Sequence, residues 1–259
     1  MDETYHIYIN RVAQETLAER YLSKLQHIQE SPKFEVDVTG TTKPVHFPGY
    51  SVITPSWKDD SKNTEFYQHM QECQTQLLDQ IPGDWLVPLP ADSFHFTLAD
   101  LIWDRAYQQA IATPELQEEL HDRMANIFAQ CSHLGNGEPI YWQVFGIMVS
   151  TRSIGALLVP VDEQSYERIV QLRRAMYQHP GLIALGIEQQ YHFTGHITLA
   201  YFKKIPETLE RENLSTLLTE FNNQWIDNPK KILVARAELR KFEDMTEYTR
   251  EPEWPIFEF

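Results

Sequence analysis

One short pattern, histidine–apolar–threonine–leucine–alanine, occurs twice in this chain, beginning once at His95 and once at His196. In an extended strand successive side chains point to opposite faces, so each histidine shares a face with the threonine two residues later, Thr97 or Thr198. The apolar residues between them face the other way. Imidazole gains and loses protons near neutral pH, and a threonine hydroxyl donates hydrogen bonds. The two strands together could therefore form one acid–base site.

A third His-x-Thr pattern, starting at His192, stands directly before the second copy. Positions 192, 194, 196 and 198 would share one face of a strand, so spacing alone does not separate the two histidines. We place His196 in the site because it is followed by Thr-Leu-Ala, as His95 is, and because Gly195 relieves crowding before it. His192 is expected either to line the mouth of the site or only to decorate the strand, and we favour the second.

A metal centre is the alternative chemistry for the same histidines. His95, His192 and His196 could serve as zinc ligands, since a catalytic zinc usually has three protein ligands. However, the chain has no His-Glu-x-x-His pattern, and no cysteine accompanies either motif. We therefore predict no metal and no cofactor.

The elements that must position the motifs alternate along the chain. Apolar runs bounded by Pro or Gly predict strands at 47–55, 85–89, 94–99, 193–201 and 232–239, a return near 241–248, and a hairpin of 141–149 with 154–161. Helical periodicity predicts helices at 63–81, 113–131, 162–178 and 207–226. Strands and helices interleave on both sides of the hairpin, which indicates an α+β fold with two related lobes.

Two regions are predicted. Residues 1–45 form an N-terminal helical extension, with its helix around 11–29 and a loop after Pro32, packed on the main body. Residues 46–259 form a single bilobal domain, because each lobe needs the other to build a cleft. The pattern does not indicate what the extension does.

The chain is acidic, since 22 Lys and Arg against 37 Asp and Glu give a net charge of −15 over 259 residues. Such a surface disfavours long duplex nucleic acid, whose binding relies on Lys and Arg displacing counterions, but allows a small phosphorylated ligand in a local positive pocket. Cys73 and Cys131 form no Cys-x-x-Cys pair, which indicates buried thiols in a reducing compartment. No leader-like or membrane-spanning stretch is present, so we expect a cytoplasmic protein without a membrane partner.

The paired motifs, Phe-His-Phe-Thr-Leu at 94–98 and Gly-His-Ile-Thr-Leu at 195–199, resemble those of the two-histidine (2H) phosphoesterase superfamily, which includes LigT-like and cyclic phosphodiesterase-like proteins. The stretch 239–248 resembles the last strand and turn of that family, and the stretches 47–55 and 99–104 resemble a little-characterised branch of it. The resemblance extends from about residue 45 to about residue 250. It implies a pseudo-symmetric fold in which two antiparallel sheets line a central cleft and the helices lie outside.

The resemblance also implies a metal-independent phosphoesterase that hydrolyses a cyclic or linear phosphodiester of a small nucleotide or an RNA end. This reaction needs a base to activate water and an acid to protonate the leaving oxygen, and histidine suits both roles. His95 and His196 are then the predicted pair, with Thr97 and Thr198 donating to phosphoryl oxygens. The sequence does not say which histidine is the base. Two alternatives remain: a non-catalytic module that binds a nucleotide or phospho-metabolite, and an RNA ligase-type activity.

A second set of residues is predicted to contact substrate, each with a structural alternative. The aromatic ones could stack on a base or sugar, although aromatic residues in strands usually belong to the core. The basic ones could contact a phosphate, although a solvated surface position is the simpler interpretation. The set comprises Tyr50, Tyr201, Tyr248, Arg152, Lys203 and His192. The pair Arg173 and Arg174 is interpreted as a solvated helix face.

Overall fold

The computed structural model describes residues 3–111, 113–225 and 229–259. Its helices are α1 (Tyr5–Ala13), α2 (Ala18–Leu25), α3 (Thr64–Gln80), α4 (Asp104–Ala110), α5 (Pro114–Gln130), α6 (Glu163–Tyr177), α7 (Pro180–Ile183) and α8 (Arg211–Trp225). Its strands are β1 (Phe34–Val36), β2 (Thr42–Pro44), β3 (Gly49–Ile53), β4 (Leu86–Pro88), β5 (Thr97–Trp103), β6 (Tyr141–Val149), β7 (Ser153–Pro160), β8 (His196–Phe202), β9 (Lys231–Leu233), β10 (Arg236–Asp244), β11 (Glu247–Thr249) and β12 (Ile256–Glu258).

Two five-stranded antiparallel sheets form the body, and each contains one motif strand. The first sheet has the order β11–β10–β3–β5, with β12 also pairing with β10, and the second has the order β4–β8–β7–β6–β9. The strands β1 and β2 form a separate hairpin. One continuous apolar core joins both sheets to the helices packed on them. The predicted α+β architecture, with two antiparallel sheets, is confirmed.

Local signals mark the start of α5 and of α6. Pro114 stands at the first position of α5, where its missing N–H costs nothing. The Oδ1 atom of Asp162 accepts a hydrogen bond from the backbone N–H of Ser165 at 2.7 Å and so caps α6. The predicted helix 207–226 is observed from Arg211 to Trp225, and its last predicted residue lies outside the described ranges.

The N-terminal region differs from the single helix that was predicted. The chain forms α1 and α2 with a 3-10 turn between them, and Leu17 adopts an extended conformation. The buried carboxylate of Glu15, in the 3-10 turn, pairs with Arg20 and Lys24 of α2 and so ties the turn to that helix. The apolar positions Val12 and Leu17 are five residues apart, a spacing that leaves one face of a helix. The predicted loop after Pro32 contains the β1–β2 hairpin.

The C-terminal region also differs. The predicted strand 232–239 is two strands of different sheets, since β9 pairs with β6 and β10 pairs with β3. β10 runs on through Lys241 and Phe242, which pair with Tyr50 and Gly49, and the predicted return consists of the end of β10 and of β11. The turn follows at Asp244, whose carboxylate accepts from the backbone N–H of Thr246 at 2.7 Å.

Both cysteines are buried free thiols, as predicted, and burial raises the pKa of Cys73 to about 12. Among the helices of the described ranges, none combines the length and the apolar character needed to cross a bilayer.

Candidate active site

The first motif lies where β5 begins. Backbone pairing reaches back beyond the strand, since the N–H of Thr54 donates to the carbonyl of Phe96 at 2.9 Å and the N–H of Trp57 donates to Phe94 at 3.0 Å. The chain is therefore extended through His95. Phe96 is fully buried, whereas His95 and Thr97 are half-buried. The predicted alternation of faces is present here.

The second motif opens β8, and it alternates in the same way. Ile197 and Leu199 are buried in the core, whereas His196 and Thr198 are half-buried. Gly195 precedes the histidine because no larger residue fits there. A Cβ atom at Gly195 would lie 2.6 Å from the ring of Trp142, closer than two carbon atoms can approach.

The two histidines are held by the same hydrogen bond. Nδ1 of His95 lies 2.7 Å from the carbonyl oxygen of Ser93, and Nδ1 of His196 lies 2.8 Å from that of Thr194. A carbonyl oxygen only accepts, so each Nδ1 carries the proton and each Nε2 is the atom left to exchange one. Nε2 of His95 lies 3.1 Å from Oγ1 of Thr97, and in the neutral ring it accepts from that hydroxyl.

A bulge follows the threonine in both strands. The register of β3 with β5 passes from Thr97 directly to Ala99, and that of β7 with β8 passes from Thr198 directly to Ala200. The extra residue is a fully buried leucine in each case, Leu98 and Leu199. A bulge leaves backbone groups unpaired and re-aims the side chains that follow it.

Helix side chains contact the carbonyl groups of both bulges. Arg173 of α6 donates to the carbonyl of Leu98, and Nε2 of Gln74 of α3 donates to that of Leu199 at 2.8 Å. Arg173 is buried, with its guanidinium 4.2 Å from the ring centroid of Phe193. The interpretation of Arg173 as a solvated residue is therefore wrong, and the reason is that α6 packs against the motif strands on this side.

Because of the bulge, the third residue after each threonine faces the same side of the sheet as the threonine itself. These residues are Asp100 and Tyr201. Asp100 accepts from Oγ of Ser51 at 3.2 Å and from the hydroxyl of Tyr191. Burial raises the pKa of the Tyr248 phenol, and the neighbouring Tyr201 and Asp100 raise it further. The two lobes thus contribute unlike groups at equivalent positions.

The ring of His95 is packed against Tyr248, with 4.2 Å between the ring centroids. Removal of water from around the imidazole lowers the pKa of His95 to about 4, although the hydrogen bond to Ser93 opposes the shift. The neighbouring His196 and the guanidinium of Arg240 lower this pKa further. His196 therefore lies within electrostatic range of His95, and His95 is neutral at pH 7.

Of the second set of predicted residues, the structure brings Tyr248 to His95 and places Tyr201 further along β8, on the side that Thr198 faces. It does not bring Tyr50 there. That side chain is fully buried on the other face of β3, where its hydroxyl donates to Oε1 of Gln117 at 2.9 Å and lies 3.3 Å from Nε2 of His121. Tyr50 belongs to the core beneath α5.

The remaining predicted residues also lie apart from the histidines. His192 precedes β8 and is exposed, with Nδ1 3.7 Å from the carboxylate of Glu3. Arg152 is exposed in the hairpin turn and Lys203 follows the end of β8, where it pairs with Asp84 at 2.7 Å. Both stand at the opposite end of β8 from His196, roughly 20 Å away along a seven-residue strand. In the described ranges, no group of three or more His, Cys, Asp or Glu residues is arranged to hold a metal ion.

Sequence patterns did not reveal that α1 contacts the segment leading into the second motif. Arg11 donates to Oγ1 of Thr194 at 3.0 Å and to the carbonyl of Phe193, and it pairs with Glu3 at 2.8 Å. The hydroxyl of Tyr8 accepts from the N–H of Gly195 at 3.0 Å. No local pattern marks these residues, because their partners lie more than 180 positions away along the chain.

Comparisons with known proteins support the fold. The crystal structure of ATU0111 of Agrobacterium tumefaciens, a conserved protein of unknown function, is similar with a TM-score of 0.58 and 16% identity, covering 89% of this chain and 96% of that one. Thermus thermophilus TT0787 (TM-score 0.45, 16% identity, 81% and 96% covered) and apo Escherichia coli LigT (TM-score 0.43, 14% identity, 83% and 98% covered) are more distant.

No protein-family model matches the chain, and no curated protein matches it. The likeness to ATU0111 concerns the fold alone. The chemistry must be argued from the side chains of this chain.

Proposed function

We propose that this protein is a metal-independent phosphoesterase that hydrolyses a cyclic or linear phosphodiester of a small nucleotide or an RNA end. The observation that carries the proposal is the matched tautomer of His95 and His196. Each ring is fixed through Nδ1 to a carbonyl two residues before it and keeps Nε2 for proton exchange. Each ring also has a threonine hydroxyl on its own face of the strand. One imidazole and one hydroxyl donor on either side of the phosphorus would suit an in-line attack.

His95 serves as the base in this proposal. Its low pKa makes the ring neutral, so Nε2 is ready to take a proton from water. The water oxygen forms a bond to phosphorus, and the bond between phosphorus and the leaving ribose oxygen breaks. His196, protonated at Nε2, gives that oxygen a proton. Both proton transfers are supplied by imidazole, so the scheme requires no metal.

Thr97 and Thr198 act as donors to the non-bridging phosphoryl oxygens. In the free protein Thr97 donates to Nε2 of His95, so substrate binding would turn this hydroxyl towards phosphate and release the base. Donors placed where negative charge develops usually make the largest electrostatic contribution to such reactions. The net charge of −15 favours a compact substrate over a long duplex.

The division into regions belongs to the same proposal. Residues 46–259 supply both motifs and form the catalytic unit, and residues 1–45 form an extension packed on it. Contacts from Tyr8 and Arg11 to residues 193–195 support a role for the extension in holding the second motif.

The test is a substrate screen with purified protein in EDTA, covering 2′,3′-cyclic nucleotides, cyclic dinucleotides and 2′–5′ linked oligomers. We expect hydrolysis of at least one class, and a loss of about 10²–10⁴-fold in kcat for His95→Ala and for His196→Ala. His133→Ala, at an exposed histidine, is the control and should match the wild type. Full activity in either site variant would refute the assignment, and nucleotide binding without turnover would indicate a binding module instead.

A further inference from the structure

The segment that carries the β1–β2 hairpin of the N-terminal region is bound to both sheets. On the side of the second sheet, the N–H of Ser31 donates to the carbonyl of Phe202 at 2.7 Å, and the ring of Phe34 lies 5.5 Å from that of Tyr201. On the side of the first sheet, the N–H of Phe47 donates to the carbonyl of Glu243 at 2.8 Å. The hairpin therefore spans the two lobes beside Tyr201.

Lys33 enters this hairpin with its ammonium group held by aromatic side chains. Nζ lies 3.4 Å from the hydroxyl of Tyr201, 5.1 Å from the centroid of that ring, and 4.8 Å from the centroid of the Phe47 ring. The side chain is half-buried. Cation–π contacts of this kind fix an ammonium group in place without neutralising its charge.

Lys33 differs from Lys24, Lys43 and Lys203 in its lack of an acidic partner. Lys24 pairs with Glu15, Lys43 pairs with Asp37, and Lys203 pairs with Asp84. Lys33 forms no ion pair with any carboxylate of the residues that the structure describes. In a chain with a net charge of −15, an ammonium group kept apart from carboxylates and half out of water favours an anion.

The distance between Lys33 and the motif histidines suits contact with a second charged group of the same substrate. Tyr201 lies three residues beyond Thr198 on β8, which is about 10 Å along a strand. Tyr201 also lies near Tyr248, whose ring contacts His95. Lys33 thus stands too far from the motifs to touch the reacting phosphorus, but within reach of the far side of one nucleoside.

We propose that Lys33 and the hydroxyl of Tyr201 form a subsite for a second phosphate group, so that the preferred substrate is a nucleotide carrying one phosphate besides the phosphodiester that is cleaved. The inference rests on the proposed function. Lysine acts as a point charge for phosphate, and the tyrosine hydroxyl adds a directed donor. Asp100, at the equivalent position of the other lobe, would repel phosphate, so the second phosphate lies on the side of Tyr201.

The experiment compares adenosine 2′,3′-cyclic phosphate with the same compound carrying a 5′-phosphate. We expect the wild type to show kcat/KM higher by about tenfold for the 5′-phosphorylated compound, the effect of one charge-assisted contact. Lys33→Gln should remove this preference and leave the activity on the simpler compound unchanged, and Lys33→Arg should keep most of it. Lys43→Gln, in the same hairpin but paired with Asp37 and exposed, is the matched control.

Equal kcat/KM values for the two compounds in the wild type, or an unchanged preference in Lys33→Gln, would overturn the subsite. A lower Tm in Lys33→Gln together with an unchanged preference would mean that Lys33 only packs the hairpin. If neither compound is hydrolysed, the proposed function fails for these substrates. The subsite is then tested by ligand binding alone, measured by calorimetry. The wild type should then bind adenosine 3′,5′-bisphosphate about tenfold more tightly than adenosine 3′-phosphate. Lys33→Gln should bind the two ligands with equal affinity.

Discussion

The phenol ring of Tyr248 lies 4.2 Å, centroid to centroid, from the imidazole ring of His95. Tyr248 stands on β11, which reaches the site only because β10 turns sharply at Asp244. Its ring also packs 5.1 Å from that of Phe242 and is almost fully buried. The aromatic side chain therefore removes water from one side of the proposed base and helps to keep it neutral.

Replacing Tyr248 should change the pKa of His95. In Tyr248→Ala water reaches the ring, so we expect this pKa to rise from about 4 towards the ordinary value, by on the order of one unit or more. Tyr248→Phe keeps the ring and should leave it nearly unchanged. Titration of the imidazole Cε1–H signal by NMR measures both variants, and an unshifted His95 signal in Tyr248→Ala would contradict the account.

The same pKa predicts how stability depends on pH. His95 titrates at about 4 in the folded protein and at about 6.5 when unfolded, so between these values the unfolded chain binds a proton that the folded chain does not. The contribution of His95 is thus fully present above pH 6.5 and is lost as the pH falls towards 4. The free energy of unfolding, measured with urea at several pH values, should decline less steeply with falling pH in His95→Gln than in the wild type. His133→Gln, at an exposed site, should follow the wild type.

The threonines can be tested separately from the histidines. Thr97→Val and Thr198→Val keep the shape of the side chain but remove the hydroxyl. We expect each to lower kcat by about 10–10³-fold on whichever substrate the screen identifies, because a donor to the developing phosphoryl charge is lost. Both side chains are half-buried, so Tm should change little. If kcat is retained in both variants, the hydroxyl groups do not stabilise the transition state.

Arg11 is expected to act as a positioning residue for His196. Arg11→Met removes the hydrogen bonds to Phe193 and Thr194, and the carbonyl of Thr194 orients the ring of His196. We expect kcat to fall by about tenfold with KM little changed, and Arg11→Lys to recover part of the loss. Arg20→Gln, at the other arginine of the N-terminal helices, is the control and should leave kcat unchanged. An equal loss of kcat in Arg11→Met and Arg20→Gln would indicate a general effect on the N-terminal extension.

Several features followed from the sequence because they depend on neighbours along the chain. The alternation of His95 and Thr97 with Phe96 follows from strand geometry alone, and so does that of the second motif. The helices α3, α5 and α6 appeared at the predicted positions because their apolar spacing and terminal residues are local signals. The choice of His196 over His192 also rested on local pattern, and the structure places His192 on the surface beside Glu3.

Other features were decided only by the tertiary structure. Strand parity did not reveal that Tyr50 faces the core beneath α5, since which face of β3 meets the helix depends on packing between distant segments. The bulges at Leu98 and Leu199 depend on the register with neighbouring strands and on side chains from α6 and α3. The sequence alone identified the paired motifs whose residue types suit the proposed chemistry. Long-range packing decided which of them meet, because contacts between segments far apart in the chain leave no periodic signal in either segment.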